Sequence, residues 1–249
     1  MKITILGSGT GVPSLKRGAP GLIVKIGKDF LLFDSGPGTL NRLLEAKIDY
    51  LKLDYIFYSH FHPDHVAELV PFLFACKYNS TPREKKLKLV GPKGLENFYF
   101  SLLKVYGEWI TPSKFSVEIN ELNGEPYQTK DWIIHASPMK HTDPCVGYRI
   151  ETAGKTIVYS GDTDYCREIV ELAKNSDLFI SECSFPEKHR LLGHLTPRLA
   201  GKVAKESGCK HLVLTHLYPI CDKFNIRSEC RREYSGKLTI AKDLMKFVI

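Results

Sequence analysis

Short apolar runs alternate with polar, turn-forming stretches along the chain, and the spacing of the apolar positions predicts its elements. Runs rich in β-branched and aromatic residues recur at Ile3–Leu6, Leu22–Ile26, Phe30–Phe33, Tyr55–Tyr58, Leu87–Val90, Trp132–Ala136, Val146–Ile150, Thr156–Tyr159, Leu178–Ile180 and Leu212–Leu214. Each is bounded by Gly, Pro, Asp or Ser, the signature of a strand. Helical spacing predicts helices over Thr39–Ala46, Val66–Phe74, Leu95–Val105, Tyr165–Lys174, Pro197–Ser207 and Ile240–Phe247. Some strands follow one another as hairpins and others are separated by helices, so a mixed α/β sandwich with helices on its outer faces is expected. No repeat, low-complexity tract or long linker divides the chain, which reads as one domain over residues 1–249.

Composition narrows the class. With 43% hydrophobic and 25% charged residues, the chain has the balance of a folded globular protein rather than a disordered one. No run reaches the roughly 18 apolar residues of a membrane-spanning helix, and no membrane partner is expected. The opening Met1-Lys2-Ile3-Thr4-Ile5-Leu6-Gly7 reads as a first strand, not a signal peptide. The seven cysteines are scattered and never form a C-x-x-C pair. That points to free thiols in a reducing compartment, the cytoplasm, and away from a thiolate metal site. A net charge of +7 favours anionic substrates such as phosphate esters or nucleic acid, although a solvated lysine-rich surface accounts for it equally well.

Gly7-Ser8-Gly9-Thr10-Gly11 imitates a dinucleotide fingerprint after a strand. That motif needs a helix opening on its glycines. Pro13, Pro20 and the strand starting near Leu22 leave no room for one, so a glycine-rich loop near an active site is the better reading.

The chemistry lies where strands end. Phe30–Phe33 ends at Asp34, and Tyr55–Tyr58 at Ser59-His60-Phe61-His62-Pro63-Asp64-His65. Trp132–Ala136 leads to Lys140-His141, Thr156–Tyr159 to Ser160-Gly161-Asp162, and Leu212–Leu214 to Thr215-His216. In open α/β sheets this edge is where sites assemble. His60 and His62 stand two apart in an extended segment, so their rings project to one side. Pro63 suits the first turn of a helix that would carry Asp64 and His65. Imidazole and carboxylate donors without thiolates suit zinc, and less exclusively iron or manganese. His135, His189 and His211 have no such company and read as surface or core histidines.

The H-x-H-x-D-H cluster resembles that of the metallo-β-lactamase-fold hydrolases, and the chain is similar to ribonuclease Z and related phosphodiesterases. Matching stretches include Leu6 to Ser14, Leu32-Phe33-Asp34-Ser35-Gly36, Gly91-Pro92-Lys93-Gly94, Ser160-Gly161-Asp162-Thr163 and Leu214-Thr215-His216. The resemblance implies an αββα sandwich binding two Zn2+, with Mn2+ or Fe2+ as alternatives. His60, His62 and His141 would hold one ion, Asp64, His65 and His216 the other, and Asp162 would bridge. Asp34 would orient a ligand histidine or the cluster loop from behind. Where the family has His-Glu-Ala-Thr, this chain has Ser181-Glu182-Cys183-Ser184, and a His-x-Thr element is matched by His194-Leu195-Thr196. By that match His194, steadied by Glu182, would face the scissile phosphate, with Asp64 orienting the nucleophile. Lys140 and Lys93 read as solvated lysines, with a positive field at the mouth of the site as the alternative.

Two departures separate the chain from tRNA-processing enzymes. Their long flexible arm lies between the third-motif histidine and the bridging aspartate; here only Thr142 to Gly161 intervene, and Pro37 replaces a usually acidic residue. The expected function is therefore a binuclear phosphodiesterase. A ribonuclease Z-type endonuclease and a thioester or lactone hydrolase of the same fold are the alternatives. A redox di-iron centre would want an acidic residue at His62, and an inactive RNA-binding module would not retain the full ligand set. RNA as substrate and a homodimer as assembly stay open.

Overall fold

Strands that are sandwiched on both faces bury every residue, which is why the apolar runs are continuous rather than alternating. In the computed structural model, which describes residues 1–249, consecutive side chains of one strand enter different cores. Leu31 and Phe33 point into one core and Leu32 into another, the two-residue period of a strand.

The first half supplies β1 (Lys2–Gly7), β2 (Gly21–Ile26), β3 (Asp29–Ser35), β4 (Tyr55–Phe57), β5 (Leu87–Gly91) and β6 (Val117–Glu121). The second supplies β7 (Tyr127–Gln128), β8 (Ile133–Pro138), β9 (Val146–Thr152), β10 (Lys155–Tyr159), β11 (Leu178–Glu182), β12 (His211–Thr215) and β13 (Lys237–Ile240). The last strand, β14 (Lys246–Val248), returns to pair with β1. Two seven-stranded sheets result, ordered β14-β1-β2-β3-β4-β5-β6 and β13-β12-β11-β10-β9-β8-β7. Both are mixed: β3 to β6 run parallel, as do β10 to β13, and the remaining pairs are antiparallel.

Helices α1 (Thr39–Glu45), α2 (Pro63–Val66), α3 (Leu69–Tyr78) and α4 (Leu95–Tyr106) cover the first sheet. The second is covered by α5 (Arg167–Leu172), α6 (Pro197–Ser207) and α7 (Ile226–Arg231). The αββα sandwich expected from the sequence is what forms. Between the sheets, Phe33 stacks on Phe57 at 4.8 Å and meets Tyr148 edge-on at 5.4 Å; each such ring buried contributes about 1.5–3 kcal/mol. No helix is long and apolar enough to cross a membrane, and all seven cysteines are free.

Two helix expectations need correction. Ile240–Phe247 is not helical. Ile240 ends β13, a turn follows, and Phe247 pairs with Ile3 in β14. The Leu244 amide donates to Ile5 at 2.7 Å, and Leu244 has φ 62, so the backbone groups a helix would use are committed to β1. Val66–Phe74 is two helices, α2 and α3. The Glu68 amide donates to Ser35 at 3.0 Å, which breaks the helical ladder and ties the histidine-rich segment to β3. The strands β6, β7, β13 and β14 and helix α7 are elements that the pattern of apolar runs does not predict.

Candidate metal centre

The site is assembled across the seam between the sheets. Loop β4–α2 of the first sheet supplies His60 and His62, and the first turn of α2 supplies Asp64 and His65, with Pro63 opening the helix. The second sheet contributes His141 after β8, Asp162 after β10, Glu182 at the end of β11 and His216 after β12. Backbone geometry is specialised at these turns. Asp34 and His216 adopt left-handed conformations, each with φ 55, which costs a residue other than glycine about 1–3 kcal/mol. Gly161 has φ 57, and a Cβ there would lie 2.8 Å from the Ser59 Cβ; the close approach of β10 to the first sheet requires glycine.

The ring nitrogens leave little freedom in proton placement. Carboxylates and carbonyls only accept hydrogen bonds, so an imidazole nitrogen facing one must carry the proton. His65 Nδ1 donates to Asp34 Oδ2 at 2.7 Å, and His141 Nδ1 to the Gly193 carbonyl at 2.9 Å. The Ser59 hydroxyl donates to Asp34 at 2.8 Å, so it accepts from His60 Nδ1 at 3.0 Å. Each of these rings therefore turns its Nε2 into the cluster. His65 Nε2 lies 3.2 Å from His216 Nε2, and His141 Nε2 lies 3.2 Å from His62 Nδ1. Asp162 Oδ1 is 3.4 Å from both His65 and His216, while its Oδ2 is 3.9 Å from His60 and 3.8 Å from His141. His60 Nε2 and Asp162 Oδ1 are buried with no hydrogen-bond partner. Inward-facing lone pairs and orphaned buried atoms are what a divalent cation would satisfy.

Electrostatics agree. Burial pushes the His60 imidazole down to about 3, helped by its neighbour His65. Burial also opposes charge on His65, but Asp162 and Asp34 override it and raise that ring well above the usual histidine range. Burial would raise the Asp162 carboxyl; His216 and His65 reverse this and hold it well below the carboxylate range. The carboxylates thus call for positive charge at the centre of the cluster.

The structure brings every candidate together. His60, His62, His141 and Asp162 form one group of donors, Asp64, His65 and His216 a second, and Asp162 with His194 and His216 a third, the donor atoms of each lying within 4.8 Å of one another. Asp34 stands behind His65, fully buried. His194 precedes α6, and its Nδ1 donates to Glu182 Oε1 at 2.9 Å. The glycine-rich loop also reaches the site: the Gly11 amide donates to Asp64 Oδ2 at 3.0 Å. His135, His189 and His211 lie outside all of these groups. Sequence reasoning missed Tyr159, whose hydroxyl donates to Asp34 at 2.7 Å, and Ser59 and Ser184, which bond the histidines. Ser59 directly precedes His60, a signal that was present. Surface grooves of about 470 and 500 Å³ lie elsewhere, around Lys2, Lys25, Lys155 and Lys246, so donor chemistry rather than cavity size marks this site.

A mixed-sheet sandwich with this donor cluster at one edge defines a class of metallohydrolases. Residues 30–217 match the β-lactamase superfamily domain, and the chain belongs to that superfamily as a hydrolase of the metallo-β-lactamase fold. Probable metallo-hydrolase YhfI of Bacillus subtilis (strain 168) is 30% identical over 247 positions, covering 97% of each chain. Its crystal structure superposes with TM-score 0.86 at 28% identity, covering 99% of this chain and 98% of that one. Ribonuclease Z of Streptococcus suis (strain 98HAH33) is 28% identical over 308 positions, with 98% of each chain covered. The crystal structure of human tRNase Z, short form, has TM-score 0.82 and 25% identity, covering 100% of this chain and 99% of that one. An alignment of 308 positions exceeds the 249 residues here, so the streptococcal ribonuclease carries segments this chain lacks. The YhfI alignment needs no such excess.

Proposed function

We propose that the chain is a binuclear metal-dependent phosphodiesterase. One divalent cation would be held by His60, His62 and His141, a second by Asp64, His65 and His216, with Asp162 reaching both. Zn2+ fits the imidazole and carboxylate donors, and Mn2+ or Fe2+ are the alternatives. When bound, such a pair supplies Lewis acidity toward phosphoryl oxygens and makes water a nucleophile near neutral pH.

The observation that carries the phosphoester reading is the Glu182–His194 pair beside Asp162 and His216. Glu182 fixes the His194 tautomer, leaving Nε2 to serve the substrate. Burial disfavours charge on His194, and the Glu182 hydrogen bond and charge overcome it, raising its pKa. His194 can then deliver a proton to the leaving oxygen as the phosphorus–oxygen bond breaks, and Asp64 orients the attacking water. General acid catalysis of this kind contributes about 10²–10⁴-fold. An anionic substrate agrees with the net charge of +7, and seven free thiols agree with a cytoplasmic setting.

Metal analysis should find two ions per chain, and one or none would overturn the binuclear reading. Hydrolysis of bis-p-nitrophenyl phosphate should vanish with His65→Ala and fall by about 10²-fold or more with His194→Ala; an unimpaired His194 variant would refute its catalytic role. The relatives named ribonuclease Z favour a second reading, tRNA 3′ processing. Efficient cleavage of a trailer-bearing pre-tRNA by the same preparation would establish it, and thioester and lactone substrates complete the panel.

A further inference from the structure

Ser184 lies just past β11, fully buried, and its hydroxyl sits at the junction of three groups. It is 2.7 Å from Glu182 Oε2, 2.9 Å from His216 Nδ1 and 3.1 Å from His194 Nδ1. A hydroxyl has one proton and two lone pairs, and a carboxylate can only accept. The Ser184 proton therefore goes to Glu182 Oε2, and its lone pairs face the imidazole N–H groups. His216 must then carry its proton on Nδ1 and present a bare Nε2, which lies 3.5 Å from Asp64 Oδ2 and 3.4 Å from Asp162 Oδ1. The other Glu182 oxygen accepts from His194 Nδ1 at 2.9 Å and from the Thr163 amide at 2.9 Å. One carboxylate thus orients two histidines of different duty: His194 directly, and His216 through a serine hydroxyl.

We infer that Ser184 is a positioning residue that relays Glu182 to His216 and so sets the affinity of the Asp64–His65–His216 group for its cation. Ser184 is the hydrogen-bond partner of His216 Nδ1, and the His216 backbone is in the left-handed region. A ring on strained backbone that loses the hydrogen bond to its Nδ1 is freer to turn its Nε2 away from Asp64. Glu182 accepts no hydrogen bond from a donor of that group, and its hydrogen-bonded link to the His216 ring runs through Ser184. This inference rests on the two-cation reading above.

The test is zinc affinity of the full chain, by competition with a chromophoric chelator, independent of any turnover. Wild type is compared with Ser184→Ala, Ser184→Thr, Glu182→Gln and the Glu182→Gln/Ser184→Ala double variant. Ser184→Ala should weaken one of two zinc ions by about 10–100-fold, the usual effect of removing a partner behind a ligand. Ser184→Thr, which keeps the hydroxyl, should recover most of it. Glu182→Gln should weaken the same ion, and the double variant should bind no worse than Ser184→Ala, because the path is already cut. Wild-type affinity for both ions in Ser184→Ala, or strictly additive losses, would overturn the relay. If Ser184→Ala does not fold, wild-type affinity in Glu182→Gln does the same. A wild-type protein binding fewer than two zinc ions would instead refute the binuclear reading.

Discussion

Asp34 accepts four hydrogen bonds, from the Ser59 amide and hydroxyl, His65 Nδ1 and the Tyr159 hydroxyl. Burial alone would raise its carboxyl, but His65 and these donors hold it below the usual range. It is a fixed negative charge that sets the His65 tautomer from behind. His211 shows the contrasting case of a histidine without chemistry. It starts β12, bonds Thr239 at 2.9 Å, and is pushed down to about 4 by burial and by Lys237. An unfolded histidine titrates near pH 6.5, so between about 6.5 and 4 the unfolded chain binds a proton that the native chain refuses. Stability contributed by the neutral ring is complete above 6.5 and is lost as pH falls through that window. Thermal melts from pH 7 to 4.5 should therefore decline less steeply for His211→Gln than for wild type. Parallel declines would show that this ring is not depressed.

Helix α6 opens immediately after the His194 segment, so its cap is also a support for the site. Thr196 accepts from the Leu199 amide at 3.3 Å, donates to Glu187 at 2.5 Å, and is followed by Pro197 at the first helical position. Thr196→Ala should lower urea-unfolding stability by about 1 kcal/mol and reduce phosphodiester hydrolysis, while Thr196→Ser preserves both. A stability loss with unchanged turnover would uncouple the cap from His194. At this scale the apolar runs made ten strands legible, because strands buried on two faces announce themselves by continuous β-branched and aromatic residues. The polar edge strand Val117–Glu121 and the short helix Ile226–Arg231 have no such signature. The false helix at Ile240–Phe247 had helical spacing, but long-range pairing with β1 took its backbone hydrogen bonds. The donors were readable because the six-residue cluster concentrates one chemistry. Tyr159 and Ser184 were not, because a core tyrosine and a loop serine look ordinary until the fold brings them to Asp34 and His216. The hairpin β9–β10, closed by Ala153 (φ 48) and Gly154 (φ 71), is the two-residue turn type that follows strand twist. It spans Val146 to Tyr159, most of the interval between His141 and Asp162, where the sequence left no room for an arm.

Across the molecule, each sheet contributes roughly half of the donor set, and neither half is a site alone. Cation binding is therefore linked to the folded sandwich and not to either sheet. Ligand at about 1,000 times its dissociation constant stabilises by about 4 kcal/mol, which for a chain of this length shifts the melting temperature by on the order of 10 °C. Zinc-loaded protein should melt that much above chelator-treated protein, and the gap should shrink in His65→Ala. Equal melting with and without zinc would mean that the two halves do not share the ion.

The same seam makes the core an alignment gauge. Two stacked sheets slide past one another more readily than strands separate within a sheet, and here sliding would change the spacing between donor halves before it broke any hydrogen-bonded ladder. What limits that slip is the Phe33–Phe57–Tyr148 contact, together with the Tyr148 hydroxyl on the Tyr58 carbonyl at 2.5 Å and the Val146 amide on the Ser59 carbonyl at 2.9 Å. Mechanical tolerance at the metal edge is thus set by aromatic volume in the interior. Drift in that volume would surface as altered preference among ions of different radius well before the fold was lost.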